Sequence, residues 1–367
     1  MKYLYYILFI IAIYVFVELL RVDRPIEKFR NNTQLQLQPL DTLHPQDTLP
    51  PQDTPYKIRY NNIKYLSPSD VGEVFPPSSN YLKILTGRKI AYKVREFQTR
   101  DSCLEKYNTS SLLPITPTEI EAFDKLLYDM SSIVANTPLQ YLLDMLLKGD
   151  VKIAKGNIWL EGGMPHTHYD TIIMPHDMFR KLTQYKYGRL GGDFAIREFG
   201  LTLIHELVHI EQRIEPEKYE NLYENWGFQL PTAVNGMEHP LYMNRINPDG
   251  LENKWIWQPS NLKNINKWYW IGAIHKDNAV NLKNVEYIAH SVQYSQGIAT
   301  LNNITRRILL EDFKPFINYF GITNNHYHPN EISAEYMSIY YIELLDGKMT
   351  SIHEKEGYQT FIKTLNL

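Results

Sequence analysis

His205-Glu206-Leu207-Val208-His209 sets two imidazoles four residues apart, with a carboxylate beside the first. On a helix, residues i and i+4 share a face, so both rings can reach one metal ion. A carboxylate next to a ligand and aimed at the same cleft can take a proton from a metal-activated water. The chemistry implied is metal-assisted hydrolysis. Chance alone produces His-Glu-X-X-His in roughly one chain in forty of this composition. The plain alternative is a pair of surface or hydrogen-bonded histidines on a helix.

Two histidines do not complete a catalytic zinc site, which takes three protein ligands and leaves one position open. The metzincin pattern needs Gly three residues after His209 and His three further on; Gln212 and Glu215 stand there instead. The single cysteine, Cys103, lies far upstream. The remaining common set is two His and one Glu. His328-Pro-Asn-Glu331-Ile-Ser-Ala-Glu335 opens a predicted helix and again presents two residues at i and i+4. Glu331 is read as the third ligand. Glu335, one turn on, is read as the acceptor for the free ring N–H of His205 or His209. His326, His328, His290 and Glu335 are alternative ligands. Two glutamates in the first turns of a helix are also favoured by the dipole alone.

With these residues in view, the chain resembles the gluzincin branch of the zincin metallopeptidases, the thermolysin-like arrangement. That pattern is His-Glu-X-X-His followed by Asn-Glu-X-X-X-Asp on a later helix; here the second motif is Asn330-Glu331-X-X-X-Glu335. The resemblance implies one zinc ion bound by His205, His209 and Glu331, with Glu206 as general base. Glu335 stands where the orienting Asp would sit, one methylene longer. The fold implied is α+β and zincin-like: a mixed sheet with an edge strand beside the active-site helix, then a second, mainly helical lobe. The stretch Gly162 to Pro175 looks like that edge strand. Its His166 and His168 alternate onto one face. With Tyr169 and His290 they are candidates to hold substrate or the oxyanion; a second metal, or ordinary strand polarity, would also account for them.

The elements that must position these groups are legible in part. Apolar residues at helical spacing predict a helix over 194–212, stopped by Pro216. Thr116-Pro-Thr-Glu119 is a capping box with Pro at the first helical position, opening a helix to about Ile133. Further helices are predicted over 139–147, 330–345 and 358–365, and strands over 151–153, 158–160 and 171–174. Residues 57–112 read as short strands and loops, and 304–313 as helical. The segment 216–300 holds Trp226, Trp255, Trp257, Trp268 and Trp270. They are either core and hairpin residues or an aromatic face for sugars or extended peptides.

Composition narrows the function classes. A net charge of −3 leaves no basic excess to neutralise a nucleic-acid backbone, so no nucleic-acid partner is expected. One cysteine forbids an intramolecular disulfide and leans towards a reducing compartment. Tyr3 to Leu20 is apolar except for Glu18, and eighteen helical residues span about 27 Å, close to a bilayer's hydrocarbon. Residues 1–20 therefore read as a single-span anchor, too long and without the small-residue site of a cleaved signal peptide. Lys2 before the span and Arg21, Arg24, Lys28 and Arg30 after it favour a cytoplasmic body, by a margin too small to decide the side. Residues 21–56 carry an imperfect Gln-Asp-Thr-Leu-Pro-like repeat, whose prolines prevent helix and sheet and make it a tether. Sequons at Asn31, Asn108 and Asn303 are no more than chance supplies.

The function read is a membrane-anchored zinc peptidase with protein or peptide substrates, its domain spanning 57–367. Two other classes fit the same motifs: a membrane-tethered binding protein with a structural or vestigial zinc site, and a zinc hydrolase of a non-protein amide. Limited proteolysis of the full chain should cut within 31–56 first. A protected fragment that retains the repeat would place the domain boundary elsewhere.

Overall fold

Successive residues of a strand face opposite sides of its sheet, and the two longest strands of the first sheet show what this does. Ile153, Ile172 and Met174 enter one apolar core, while Ala154 and Ile173 enter another. The sheet is therefore covered on both faces. The structure, a computed structural model, describes residues 59–367 except 77, 97, 237–244, 251–253, 260–266, 276–284, 302–306 and 322–325. The chain divides into units Met1–Pro55 and Tyr56–Leu367, and the described residues belong to the second. The expected anchor and tether lie outside them. Among the described residues no helix is long and apolar enough to cross a membrane.

The architecture is mixed α/β. The first sheet comprises β1 (Lys64–Tyr65), β2 (Leu112–Leu113), β3 (Lys152–Gly156), β4 (His166–His168) and β5 (Thr171–Pro175), in the order β1-β3-β5-β4 with β2 also paired to β3. β1, β3 and β5 run parallel; β4 is antiparallel to β5 and forms the edge. One face carries α1 (Val71–Val74), α2 (Asn80–Ile84), α3 (Gly87–Val94) and α4 (Arg100–Ser110). The other carries α5 (Pro117–Val134), α6 (Leu139–Lys148), α7 (His176–Lys186) and the long α8 (Gly192–Ile214).

After α9 (Pro216–Asn225) the chain builds a seven-stranded sheet: β6 (Phe228–Gln229), β7 (Ala233–Asn235), β8 (Ile256–Trp257), β9 (Trp268–His275), β10 (Val285–Ser295), β11 (Ile298–Leu301) and β12 (Ile308–Leu309). Its spine is the antiparallel pair β9–β10, in register from Trp268↔Val292 to His275↔Val285. Three helices follow: α10 (Lys314–Phe320), α11 (Pro329–Asp346) and α12 (Glu356–Leu365). Among the described residues, the part of the chain after α8 thus combines four helices with a sheet, because the Trp/Tyr-rich segment forms strands.

Several local expectations are met for the stated reason. Thr116 accepts from the Glu119 backbone N–H and Glu119 reaches back to Thr116, so α5 starts with a closed capping box. Gly149 and Gly347 take the left-handed conformation that ends α6 and α11. Three expectations are corrected. Residues 57–112 are mostly helical: Thr86 and Thr99 cap α3 and α4, and α4 is so polar that only Cys103 and Tyr107 mark its buried side. Ile158–Leu160 is no strand but leads into a 3₁₀ turn at Leu160–Gly163. Residues 308–312 form β12 and a second 3₁₀ turn rather than a helix. The indoles of Trp226, Trp255, Trp257 and Trp270 are buried, with Trp226 Nε1 donating to Gly357 O and Trp257 Nε1 to Trp226 O, each at 2.8 Å. Trp226, Trp257 and Trp270 are core, while Trp255 packs into the core and also lines a surface groove.

α8 packs side by side with α11, and a glycine lies at their contact. A Cβ on Gly200 would lie 2.3 Å from the Tyr341 hydroxyl and 2.7 Å from its ring carbon. Tyr341 cannot swing aside, since it is fully buried and its hydroxyl donates to Ile196 O at 3.0 Å. Gly200→Ala should force the helices apart and destabilise the protein by about 1–3 kcal/mol in denaturant unfolding. It should also weaken metal binding, because two ligands are expected on one side of this contact and the third on the other. A variant as stable as wild type would show that the contact can relax.

Candidate metal centre

α8 is a rigid mount. Leu203, Ile204, Leu207, Val208 and Ile210 are buried in the main core, which leaves His205, Glu206 and His209 on the face towards α11. α11 presents small residues to that face: Ser333, Ala334 and Ser338 are fully buried. Ser338 Oγ donates to Leu201 O at 3.0 Å. At the far end Gln212 Nε2 donates to Asn330 O at 3.0 Å and to Ser333 Oγ at 2.9 Å. These bonds place Glu331 opposite the two histidines.

His205, His209 and Glu331 each offer a ligand atom, and the three atoms lie within 4.8 Å of one another. Glu331 Oε2 is 3.4 Å from His205 Nε2, and Glu331 Oε1 is 3.7 Å from His209 Nε2. His209 Nδ1 lies 3.0 Å from Gln212 Oε1. Because Gln212 uses its amide nitrogen towards α11, its oxygen accepts from His209 Nδ1–H. The other ring nitrogen, Nε2, therefore carries the lone pair, and it is buried with no hydrogen-bond partner. A buried imidazole lone pair aimed at a second imidazole and a carboxylate suits a divalent cation of the zinc type.

Electrostatics fit the same picture. Burial opposes charge on His205, but the bond to Glu331 and the nearby carboxylates of Glu206 and Glu335 outweigh it and lift the imidazole to about 9. Burial also opposes ionisation of Glu331, yet the charged His205 imidazole bonded to it and the Arg245 guanidinium hold it at about 2. His209 is pushed down by burial and stays neutral. Glu206 is pushed well above the usual carboxylate range, first by burial and then by Asp249. Its Oε2 is buried without a partner. Glu206, His205, Glu331, Glu335 and His166 line one cavity of about 280 Å³.

The remaining sequence candidates fall in different places. Glu335 lies in the cavity wall with Oε2 4.0 Å from His205 Nδ1, so it faces His205 and not His209. His166 Nδ1 donates to Met164 O at 3.0 Å, which leaves Nε2 as an acceptor and not an oxyanion donor. His168 packs edge-on against Phe75 and Tyr81 and, with Tyr169, lines a neighbouring groove rather than the cavity. His290 pairs with Trp270 in the second sheet and lines neither space. His328 caps α11, accepting from Asn330 N, and His326 packs against Tyr336. Neither joins the triad.

Four residues near the centre were not singled out for these roles by sequence. Gln212 orients His209; its spacing of three from a ligand on one helix was the available signal. Arg213, one turn past His209, donates to Thr167 Oγ1, Tyr169 O and Pro248 O and so ties α8 to β4. Asn247 donates to Glu331 Oε1 and, at 3.2 Å, to the Tyr327 hydroxyl. Glu161, in the cavity wall, accepts from Lys93 and Tyr81 at 2.6 Å and Tyr107 at 2.8 Å. The last two carry no motif, because tertiary structure alone brings them in. No known protein family, curated protein or solved structure matches this chain.

A folded-state value for His205 above the ordinary imidazole 6.5 means that folding tightens its proton. That stability is fully present below about 6.5 and is lost as pH rises through about 9. In chelator, the stability deficit of His205→Gln should therefore be largest near pH 6 and shrink by about 2–3 kcal/mol towards pH 10. A deficit that does not change with pH, in urea titrations across that range, would contradict the pairing with Glu331.

Proposed function

We propose that this chain is a zinc-dependent peptidase of zincin-like design, with its N-terminal apolar segment as a bilayer anchor. The observation that carries the reading is the meeting of His205 and His209 with Glu331 across a single cavity that also holds Glu206. The antiparallel edge strand β4 beside α8, and Glu335 facing His205, support it further. A structural zinc site has no use for a buried, unpartnered carboxylate oxygen next to its ligands, so Glu206 favours an enzyme over a binding protein.

His205, His209 and Glu331 would hold the ion. Bound there, zinc supplies Lewis acidity, enough to bring the pKa of a water from about 15.7 to near 7. Glu206 takes the proton from the attacking water. Burial and Asp249 raise its affinity for that proton, which lets it keep the proton until the leaving amine needs it. Gln212 keeps the His209 tautomer fixed throughout. His166 Nε2, an acceptor, is suited to a substrate N–H.

Zinc content and peptide hydrolysis, measured together, test this. Wild type should hold about one zinc per chain, and His205→Ala and Glu331→Ala should lose it. Glu206→Gln should keep zinc and fold but lose about 10²–10⁴-fold in hydrolysis. Full activity in Glu206→Gln would end the mechanism; zinc binding without cleavage of a broad peptide library would end the peptidase reading.

A further inference from the structure

The cavity wall opposite α8 is a short strap, Arg245 to Gly250, and its attachments are unusually complete. Arg245 N donates to Ala273 O at 2.9 Å. Ile246 O accepts from Lys93 Nζ at 2.6 Å, and Lys93 is itself paired with Glu161 at 2.6 Å. Asn247 is bonded to Tyr327 and Glu331, and Pro248 O accepts from Arg213 at 3.3 Å. Asp249 Oδ1 accepts from the Thr167 backbone N–H at 2.6 Å and from Thr167 Oγ1. The strap is a fixed wall.

Two consequences bear on what the cavity admits. Thr167 is the middle residue of the edge strand β4, and its outward N–H is the donor an added substrate strand would use. Asp249 already occupies it. Pro248 and Asp249 also line both the cavity and the groove of about 350 Å³ beyond, so the strap is a partition between the two spaces. A long chain cannot run along β4 from one to the other. The cavity, about 280 Å³, has room for roughly one or two residues of a peptide.

The second observation is charge. Glu161, Glu206, Asp249, Glu331 and Glu335 line this cavity, and Arg245 is the single arginine or lysine in its lining among the described residues. Arg245 Nε is buried without a hydrogen-bond partner. Its Nη2 contacts the Met164 sulfur at 3.6 Å, a weak acceptor, and the guanidinium also bonds Tyr287. The Nε/Nη2 edge of a guanidinium presents two parallel N–H groups, the fork that matches a carboxylate.

We propose that Arg245 receives the terminal carboxylate of the substrate, so that the enzyme trims peptides from the carboxy terminus. The inference rests on the peptidase reading and deepens it. In the reaction one water is consumed. The scissile C–N bond breaks, the water oxygen bonds to the carbonyl carbon, and Glu206 passes one water proton to the leaving amine. The released product is a free amino acid or a short peptide that keeps its original carboxylate. An aspartate or glutamate side chain shares this chemistry and is the competing source of the carboxylate.

The test uses the full-length, zinc-loaded protein and matched peptides: free acid, carboxy-terminal amide, and amide with an internal Asp or Glu. Free acids should be cleaved near their ends, and amides about 100-fold less efficiently, chiefly through KM. Arg245→Gln should raise KM for free acids by about that factor and bring the acid-to-amide preference close to one, while Arg245→Lys should recover part of the preference. Equal cleavage of acids and amides would overturn the proposal and leave the peptidase reading standing. Cleavage of amides only beside Asp or Glu would assign the carboxylate to a side chain and overturn it as well. An equal fall in kcat on all peptides in Arg245→Gln would make Arg245 an oxyanion donor instead. Failure to cleave any peptide would remove the peptidase reading and this proposal together.

Discussion

The packing of α8 against α11 is the constraint on which the rest of the site depends. His205 and His209 are fixed by their own helix, but Glu331 meets them only because two helices approach closely enough to exclude a Cβ at Gly200. Small buried residues on α11 permit that approach, and side-chain hydroxyls and one amide then lock it by bonding to backbone carbonyls. Gln212 acts in both tasks. Its nitrogen joins the helices and its oxygen sets the histidine tautomer, so packing and ligand geometry cannot vary independently.

Charge is distributed around the cavity with the same economy. Glu161 is neutralised by Lys93 and two tyrosine hydroxyls, and Asp249 by Thr167 with Arg213 at 3.8 Å. Glu331 faces the imidazoles. Glu206 alone among these carboxylates keeps a buried oxygen with no partner. Neighbouring acids placed in environments this different are pushed to different proton affinities, so carboxylates of unlike character stand side by side in one cavity.

How much of this the amino-acid sequence reveals depends on the range of the interaction. The His205/His209 pair, the α5 capping box and the glycine stops of α6 and α11 are set within a few residues, and periodicity or local turn chemistry exposes them. Glu331 was legible because its own helix repeats the i, i+4 logic. The strap was not: Asn247, Asp249 and Arg245 sit in an irregular segment with no period, and their partners on α11, β4 and β9 lie far along the chain. The helices of residues 57–112 were missed for a related reason. α4 buries Cys103 and Tyr107 on an otherwise polar surface, so its apolar face is too thin to register as a pattern.

Gln212 and Asn330 are 118 residues apart in sequence, and the strap hangs from Lys93 across 153 residues. At about 5–20 residues per second, a ribosome needs roughly 6–24 s to make the stretch between the histidine helix and the helix that carries Glu331. During that time the emerging chain displays the motif without the glutamate that would close it. The pocket between these helices therefore cannot assemble until α11 has been made and packed against α8, so the topology itself sets synthesis before formation of the site.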